Sequence, residues 1–286
     1  MRLVTYQSDT GPRVAGLCEG GVVDLNRADA EVPSCIKRLL AQGPEGLRRA
    51  EAALDAGEPM PLESVKRVAL IPSPEKIICV GGNYVDHVKE SGQEIPSEPV
   101  IFAKFPTAIR ADGDPVVLPR LSREVDFEAE LVVVIGAGGR YIPEESAMDY
   151  VAGYCCGNDV SARDWQLKKP GGQWVLGKSF DSFAPIGPVL VTKDEVPDPE
   201  ALQIQLRLNG RTMQDSNTNQ FIFSLARLIH YVSGVVTLSP GDLLFTGTPP
   251  GVGFARNPPV FLKPGDRMEV EIERIGVLRN EVVGEG

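Results

Sequence analysis

Hydrophobic positions recur along most of the chain in short runs separated by Gly, Pro, Asn and Asp, the pattern of β-strands joined by tight turns. Within the first 70 residues, RLVTYQ and RVAGLCEGGVVDLN read as short strands. PSCIKRLLAQGPEGLRRAEAALDAG reads as helical segments interrupted at Gly43-Pro44. The two prolines of LIPSPEK mark a join, which predicts a small N-terminal domain over 1–70 and a larger one over 71–286. From Lys76 onward the expected strands KIICVGG, PVIFAKFP, PVVLP, FEAELVVVIG, YVAGYCCGND, GPVLVT, LQIQLRLNG, DLLFTG and RMEVEIERI dominate, so this part is expected to be mainly β. One amphipathic helix is expected at FIFSLARLIHYVSG, where Ile222, Leu225, Ala226, Ile229 and Val232 fall on one stripe and Gly234 ends the run. His230, at the edge of that stripe, reads as structural, because nothing acidic or nucleophilic accompanies it.

Polar exceptions to the pattern carry the candidate chemistry. In VDFEAELVVVIG, residues 125–136, strand alternation puts Asp126, Glu128 and Glu130 on one face, with neighbours about 7 Å apart. Like charges held that close in a partly buried place repel unless a cation sits among them. Asp159, in GYCCGNDVSARDWQ, follows a strand and a Gly-Asn turn and can reach the same place. Carboxylates without histidine suit Mg²⁺ or Mn²⁺, although acids at this spacing also fit a solvated strand face with a turn aspartate. His87 and Glu90, three apart in NYVDHVKESG, would lie side by side on a helical turn as a base and its orienting carboxylate, or in a plain exposed loop. Gly172–Ser179 fits GxxxxGK[ST] letter for letter, but the flanks DWQLKKPG and FDSFAPIGP supply neither the strand nor the helix of a P-loop. Nucleotide binding is therefore a remote alternative, and Lys178 reads as a cation near the carboxylates, able to polarise a carbonyl or stabilise an enolate. In LSPGDLLFTGTPPGVG, the hydroxyls of Thr246 and Thr248 and the amides beside Gly247 could hold a substrate carboxylate; a plain turn is the alternative.

Composition narrows the partners. A net charge of −10, with 24% charged and 42% hydrophobic residues, describes a globular chain without the basic clusters that nucleic acid or an anionic membrane requires, so small-molecule work is expected. The N-terminal MRLVTYQSDTG lacks the apolar core of a signal peptide, and no run approaches the roughly 20 apolar residues of a membrane span. Five cysteines without CxxC spacing suggest reduced thiols and a cytoplasmic location. With only His87 and His230 in the chain, a zinc site of several histidines is nearly excluded.

Five motifs in order, CVGGNYVDHVKE, DFEAELVVVIG, GNDVSARDWQ, GKSFDSFAPIGP and LSPGDLLFTGTPPGVG, resemble the fumarylacetoacetate hydrolase family over residues 75–285. ARDWQ followed by GGQW and GKSFD looks most like the branch of fumarylacetoacetate hydrolase domain-containing protein 2 and bacterial 2,4-diketo-acid hydrolases. The resemblance implies an α+β, mainly β fold: a mixed β-roll catalytic domain with a small N-terminal α+β domain, usually a homodimer. It implies Mg²⁺ or Mn²⁺ on Glu128, Glu130 and Asp159, which leaves Asp126 outside the ligand set. It further implies that Arg163 and Gln166 face the substrate beside Lys178, that Thr248 grips a carboxylate, and that His87 with Glu90 forms a catalytic dyad on a mobile lid. Many relatives carry Arg before NY, where this chain has Gly82, so any substrate contact made by that Arg is missing here. The implied reaction is hydrolysis of a C–C bond in a 2,4-diketo acid, with His87 activating water and an enolate forming at the metal. Decarboxylation or tautomerisation of oxaloacetate, or isomerisation of a 2-hydroxy-diene-dioate, draws on the same enolate chemistry.

Overall fold

The computed structural model describes residues 1–90, without the side chain of Glu90, and residues 94–286. Its main sheet runs, edge to edge, Pro59–Met60, Gly21–Asp24, Gly11–Cys18, Arg2–Ser8, Ala184–Thr192, Val151–Asn158, Ala129–Ile135, Leu243–Phe245, Ile77–Gly81 and Val100–Lys104. Pairing along this path is antiparallel except between Leu243–Phe245 and Ile77–Gly81. The central strands Ala129–Ile135 and Val151–Asn158 are buried along their whole length, which explains why they read as near-continuous apolar runs rather than alternating ones. A second, five-stranded sheet runs Arg211–Asn217, Gln203–Leu208, Arg267–Ile272, Gly276–Gly284 and Val116–Leu118. Its strands alternate: Ile204, Leu206, Leu208, Met268, Val270 and Ile272 point inward onto the main sheet, and the residues between them face solvent. Burying each such side chain contributes about 1.5–3 kcal/mol. The architecture is thus α+β and mainly β, as expected.

The first strand does not stand apart from the rest. Arg2 and Leu3 pair with Val191 and Leu190, so the main sheet continues into the N-terminal residues, and the buried apolar cluster extends from Leu3 to Val282. The helical segment predicted after Pro33 forms as Ile36–Ala41 and Gly43–Ala56, with Gly43 at φ +64° making the break that Gly-Pro implied.

Two local expectations change. The predicted helix begins only at Leu225 and runs to Ser233, because the Ser224 hydroxyl accepts the Arg227 amide at 3.2 Å as an N-cap. Ile222 lies outside it, its amide donated to Asn83 O at 2.8 Å, and Leu228 takes a place in the buried stripe that Ala226 was expected to fill. His230 bonds through Nδ1 to Ile142 O at 2.7 Å. The strand expected through FEAELVVVIG is split: Val125–Asp126 pairs with Ser161–Ala162, and the sheet strand starts at Ala129. At the break the Glu128 amide donates to Asn158 Oδ1 at 3.0 Å, and Glu128 O accepts the Asp159 amide at 2.9 Å. Local side-chain and turn bonds replace the ladder there, and the chain opens around its acids.

Candidate active site

The site forms where two buried strands meet end to start. Ala129 pairs with Asn158, so Glu128 and Glu130 at the start of one strand lie beside Asp159 at the end of the other. All three carboxylates are buried, and each offers an oxygen within 4.8 Å of the others. Isolated in a low-dielectric interior, three such charges would neutralise or drive the site apart.

Three cations answer them in part. Lys178 donates from Nζ to Glu128 Oε2 at 2.9 Å, Asp159 Oδ2 at 2.7 Å and the Ser161 hydroxyl at 2.9 Å. Lys104 donates to Asp159 Oδ1 and to Val160 O, the latter at 3.1 Å. Arg163 donates from Nε to Asp126 Oδ2 at 2.9 Å, from Nη1 to Gln166 Oε1 at 2.8 Å and from Nη2 to Glu128 Oε1 at 2.5 Å. Asp126 also accepts the amides of Gly253 and Phe254 at 2.7 and 3.0 Å. It therefore fixes Arg163 and the 253–254 loop from outside the acid triad. Glu130 differs from its neighbours. Among the described residues it accepts one hydrogen bond, from the Gly247 amide at 2.7 Å, and makes no ion pair.

Protonation follows from these partners. Burial would raise Glu128, but Lys178 and Arg163 outweigh it and hold the carboxyl at about 2. Glu130 is pushed well above the usual carboxylate range by burial and by the charges of Asp159 and Glu128. Burial lowers Lys104, and the charge of Asp159 opposes that shift. The donor set fits a hard divalent ion: oxygen ligands only, gathered closely, with one carboxylate that stays ionised only if a further cation joins it.

Above the acids is a cavity of about 110 Å³, with His87, Glu128, Arg163, Gln166, Lys178, Thr248, Gly82, Phe102, Trp174 and Phe254 in its walls. Six of the candidate site residues, His87, Glu128, Arg163, Gln166, Lys178 and Thr248, therefore meet around one space, and Glu130 and Asp159 lie beside Glu128 just outside its lining. The side chain of Glu90, the expected partner of His87, lies outside the described residues. Gln166 has its carbonyl end tied to Arg163, and among the described residues its amide donors have no hydrogen-bond partner. The Thr248 hydroxyl donates to Ala129 O at 2.9 Å and accepts from Gln214 at 2.7 Å, which commits its proton to the backbone. Thr246 is likewise tied to Leu131 O at 2.9 Å. Gly82 sits at φ +61°, and a Cβ there would come no closer than 3.8 Å to Val88. The P-loop-like stretch contains a helical turn, Trp174–Lys178, preceded by the helix Arg163–Lys168 rather than a strand, and Lys178 points into the acids.

Sequence reasoning missed Lys104, Gln214 and Asn83. Lys104 had a usable signal: in VIFAK it shares the inward phase of the strand with Phe102, an unusual place for lysine. Gln214 and Asn83 had none, because their partners, Ala129 and Thr248 for one and Thr246 and Phe223 for the other, are remote in sequence.

Comparison with known proteins agrees with this geometry. Residues 76–283 match the family model described as fumarylacetoacetate (FAA) hydrolase C-terminal. The chain is 50% identical over 288 residues to oxaloacetate tautomerase fahd2, mitochondrial, of Xenopus laevis, covering 99% of this chain and 90% of that one. Fumarylacetoacetate hydrolase from Exiguobacterium antarcticum has a similar structure, with a TM-score of 0.87 and 34% identity over 100% of both chains. So does maleylpyruvate hydrolase from Sphingobium sp. SYK-6 in complex with manganese(II) and pyruvate, with a TM-score of 0.83, 34% identity and 100% of both chains covered. Enzymes of this kind use a divalent metal, and the ordered motifs, the fold and the buried acid triad agree: the chain belongs to the fumarylacetoacetate hydrolase family.

Proposed function

We propose that this chain is a divalent-metal-dependent enzyme that interconverts the keto and enol forms of a small 2-oxo dicarboxylic acid, oxaloacetate being the first candidate. The observation that carries this reading is the small cavity lined by Glu128, whose partner carboxylates lie beside it, and by Lys178. The name of the Xenopus relative, identical at half of the aligned positions, supports the same substrate.

Glu128, Glu130 and Asp159 would hold Mg²⁺ or Mn²⁺, which supplies Lewis-acid charge where the 2-oxo acid binds. The rest falls to the chain's own groups. Gln166 offers its amide donors to the substrate, and the guanidinium of Arg163 holds Gln166 in that orientation. His87 takes a proton from C3, the electron pair becomes the C2–C3 double bond, and the former carbonyl oxygen receives a proton. Lys178 faces the negative charge that develops on that oxygen. Phe102, Trp174 and Phe254 line the cavity and limit the water that could divert the enolate.

A second reading, hydrolysis of a C–C bond in a 2,4-diketo acid with His87 activating water, is favoured by the likeness to maleylpyruvate hydrolase. One experiment separates the two. Mn²⁺-loaded protein is mixed with enol oxaloacetate, and enol absorbance is followed together with pyruvate release, beside a panel of acylpyruvates. Fast decay of the enol signal without pyruvate supports tautomerisation. Cleavage of an acylpyruvate with no effect on the enol would establish the hydrolase instead, and pyruvate formed from oxaloacetate would establish a decarboxylase.

We further propose that the enzyme works as a homodimer in a reducing compartment. All five cysteines are free, which suits the cytoplasm and equally an organelle such as the one in the relative's name. Among the described residues no helix is long and apolar enough to cross a membrane. A light-scattering mass of a single chain would overturn the dimer.

A further inference from the structure

Two lysines hold the same carboxylate from different sides. Lys178 takes Asp159 Oδ2 and lines the cavity. Lys104 takes Asp159 Oδ1, has no exposed side-chain surface, and is absent from the cavity wall. It lies at the end of the edge strand Val100–Lys104, whose inward face also carries Phe102. Its second bond, to Val160 O, ties it to the turn that follows Asp159. A buried ammonium is costly, and hydrophobic packing could fill the same volume at lower cost. Its presence therefore calls for an electrostatic reason.

Charge balance supplies one, resting on the reading of the triad as a metal site. Asp126 and Arg163 offset each other. Three ligand carboxylates and a dipositive ion leave one negative charge over, and Lys104 cancels it from behind. Lys178 then keeps its charge for whatever anion enters the cavity. Without Lys104, the charge of Lys178, which already bonds Glu128 and Asp159, would be needed to balance the acids.

We propose that Lys104 is a positioning residue: it orients and neutralises Asp159 from outside the cavity, so that the charge of Lys178 is left for the anionic substrate. Lys104 never touches substrate. It acts on one oxygen of Asp159 and leaves the other turned toward the cavity side.

The test compares wild type with Lys104→Met and Lys104→Arg, using calorimetry with Mn²⁺ and then with oxalate on the Mn²⁺-loaded protein, together with kcat and KM. In Lys104→Met, Mn²⁺ should bind as tightly as in wild type or up to about tenfold more tightly, because a repelling charge is gone. Oxalate should bind at least about tenfold more weakly, because Lys178 is now neutralised by the acids. kcat should fall with it, and Lys104→Arg should recover most of the oxalate affinity. Weaker oxalate binding without weaker Mn²⁺ binding is the signature, since loosened packing would weaken both ligands together. If both weaken, or if oxalate binds Lys104→Met as it binds wild type, the proposal is overturned. If Lys104→Met does not fold, Lys104→Gln, which keeps a donor without the charge, is read by the same criteria. Failure of wild type to bind Mn²⁺ at all would sink the metal-site reading itself, a result distinct from any difference between the variants.

Discussion

Two buried acid clusters in this molecule are built on opposite principles. In the N-terminal part, Asp24 accepts hydrogen bonds from the Tyr6 hydroxyl at 2.7 Å, Arg13 Nη1 at 2.9 Å and the Arg27 amide at 3.0 Å. One acid meets one cation, a hydroxyl and a helix N-terminus. Burial would raise its carboxyl, but these bonds win and hold it below the usual range, while Tyr6 is pushed up to about 12 by burial and by its bond to Asp24. Around Glu130 the acids outnumber the cations, and one carboxyl stands well above its usual range. A satisfied cluster serves the fold. A cluster left short of a cation serves a ligand, because the missing charge is what the site binds.

The largest effect expected from this difference is at Glu130. Glu130→Gln removes the triad carboxylate that makes no ion pair among the described residues, so Mn²⁺ affinity measured by calorimetry should fall by on the order of 10² or more, beyond the 10–100-fold typical of residues that merely support a ligand. Turnover should fall with it, and chelator should abolish what remains. The metal-free variant should be about as stable as metal-free wild type, since burial and the neighbouring acids already disfavour the charge of Glu130 and a Gln carbonyl can still accept the Gly247 amide. Unchanged Mn²⁺ affinity would erase the contrast between the clusters.

Lys178→Met tests the catalytic role proposed for the same cluster. Its turnover at saturating Mn²⁺ should drop by roughly 10² or more, the scale of losing one preorganised electrostatic donor. Lys178→Arg should rescue poorly, because a planar fork does not replace a compact ammonium. A turnover within a factor of two of wild type would remove Lys178 from the chemistry.

How these clusters read in the sequence is uneven, and the reason is range. The strand pattern and the helix ending at Gly234 were legible, because alternation, caps and turn residues act over a few positions; the grouping of Glu128 and Glu130 with Asp159 rested on the resemblance to the family. Asp126 was not legible: its partners Gly253 and Phe254 lie more than 120 residues on, and the strand break at Phe127–Glu128 depends on Asn158. The run of alternating acids suggested one carboxylate face; the fold instead turns Asp126 toward Arg163 and keeps Glu130 in the sheet. The strand Gly276–Gly284 also went unread, its alternation being clear only once its partner Arg267–Ile272 is known. The Asp24 cluster drew no notice for the same reason. A lone aspartate after VV carries no sign that Tyr6 and Arg13 converge on it.

At Asp24 the expected effect is on stability alone. Asp24→Ala removes an N-cap and leaves the buried Tyr6 hydroxyl without its acceptor, which should cost about 1–3 kcal/mol in urea unfolding. kcat and Mn²⁺ affinity should stay within about twofold, because this cluster lies in the part of the sheet before Ala184–Thr192, away from the cavity. Lost metal binding in Asp24→Ala would mean that the clusters are coupled and the contrast is false.

The smallest effect is the pH dependence of that same loss. The folded carboxyl of Asp24 lies below the unfolded value of about 3.9. The unfolded chain therefore takes up its proton first as the pH drops. The stabilisation is fully present above the unfolded value and is lost as pH falls through the folded one. Urea midpoints of wild type and Asp24→Ala, both in chelator so that no metal contributes, should differ most near neutrality and converge below about pH 4. The charge of Arg13 persists throughout this range, so the convergence reports Asp24 alone. A gap of constant size from neutral pH down to about pH 3 would assign the loss to packing and to the cap, and would remove charge from the account of why this cluster is quiet and the other is not.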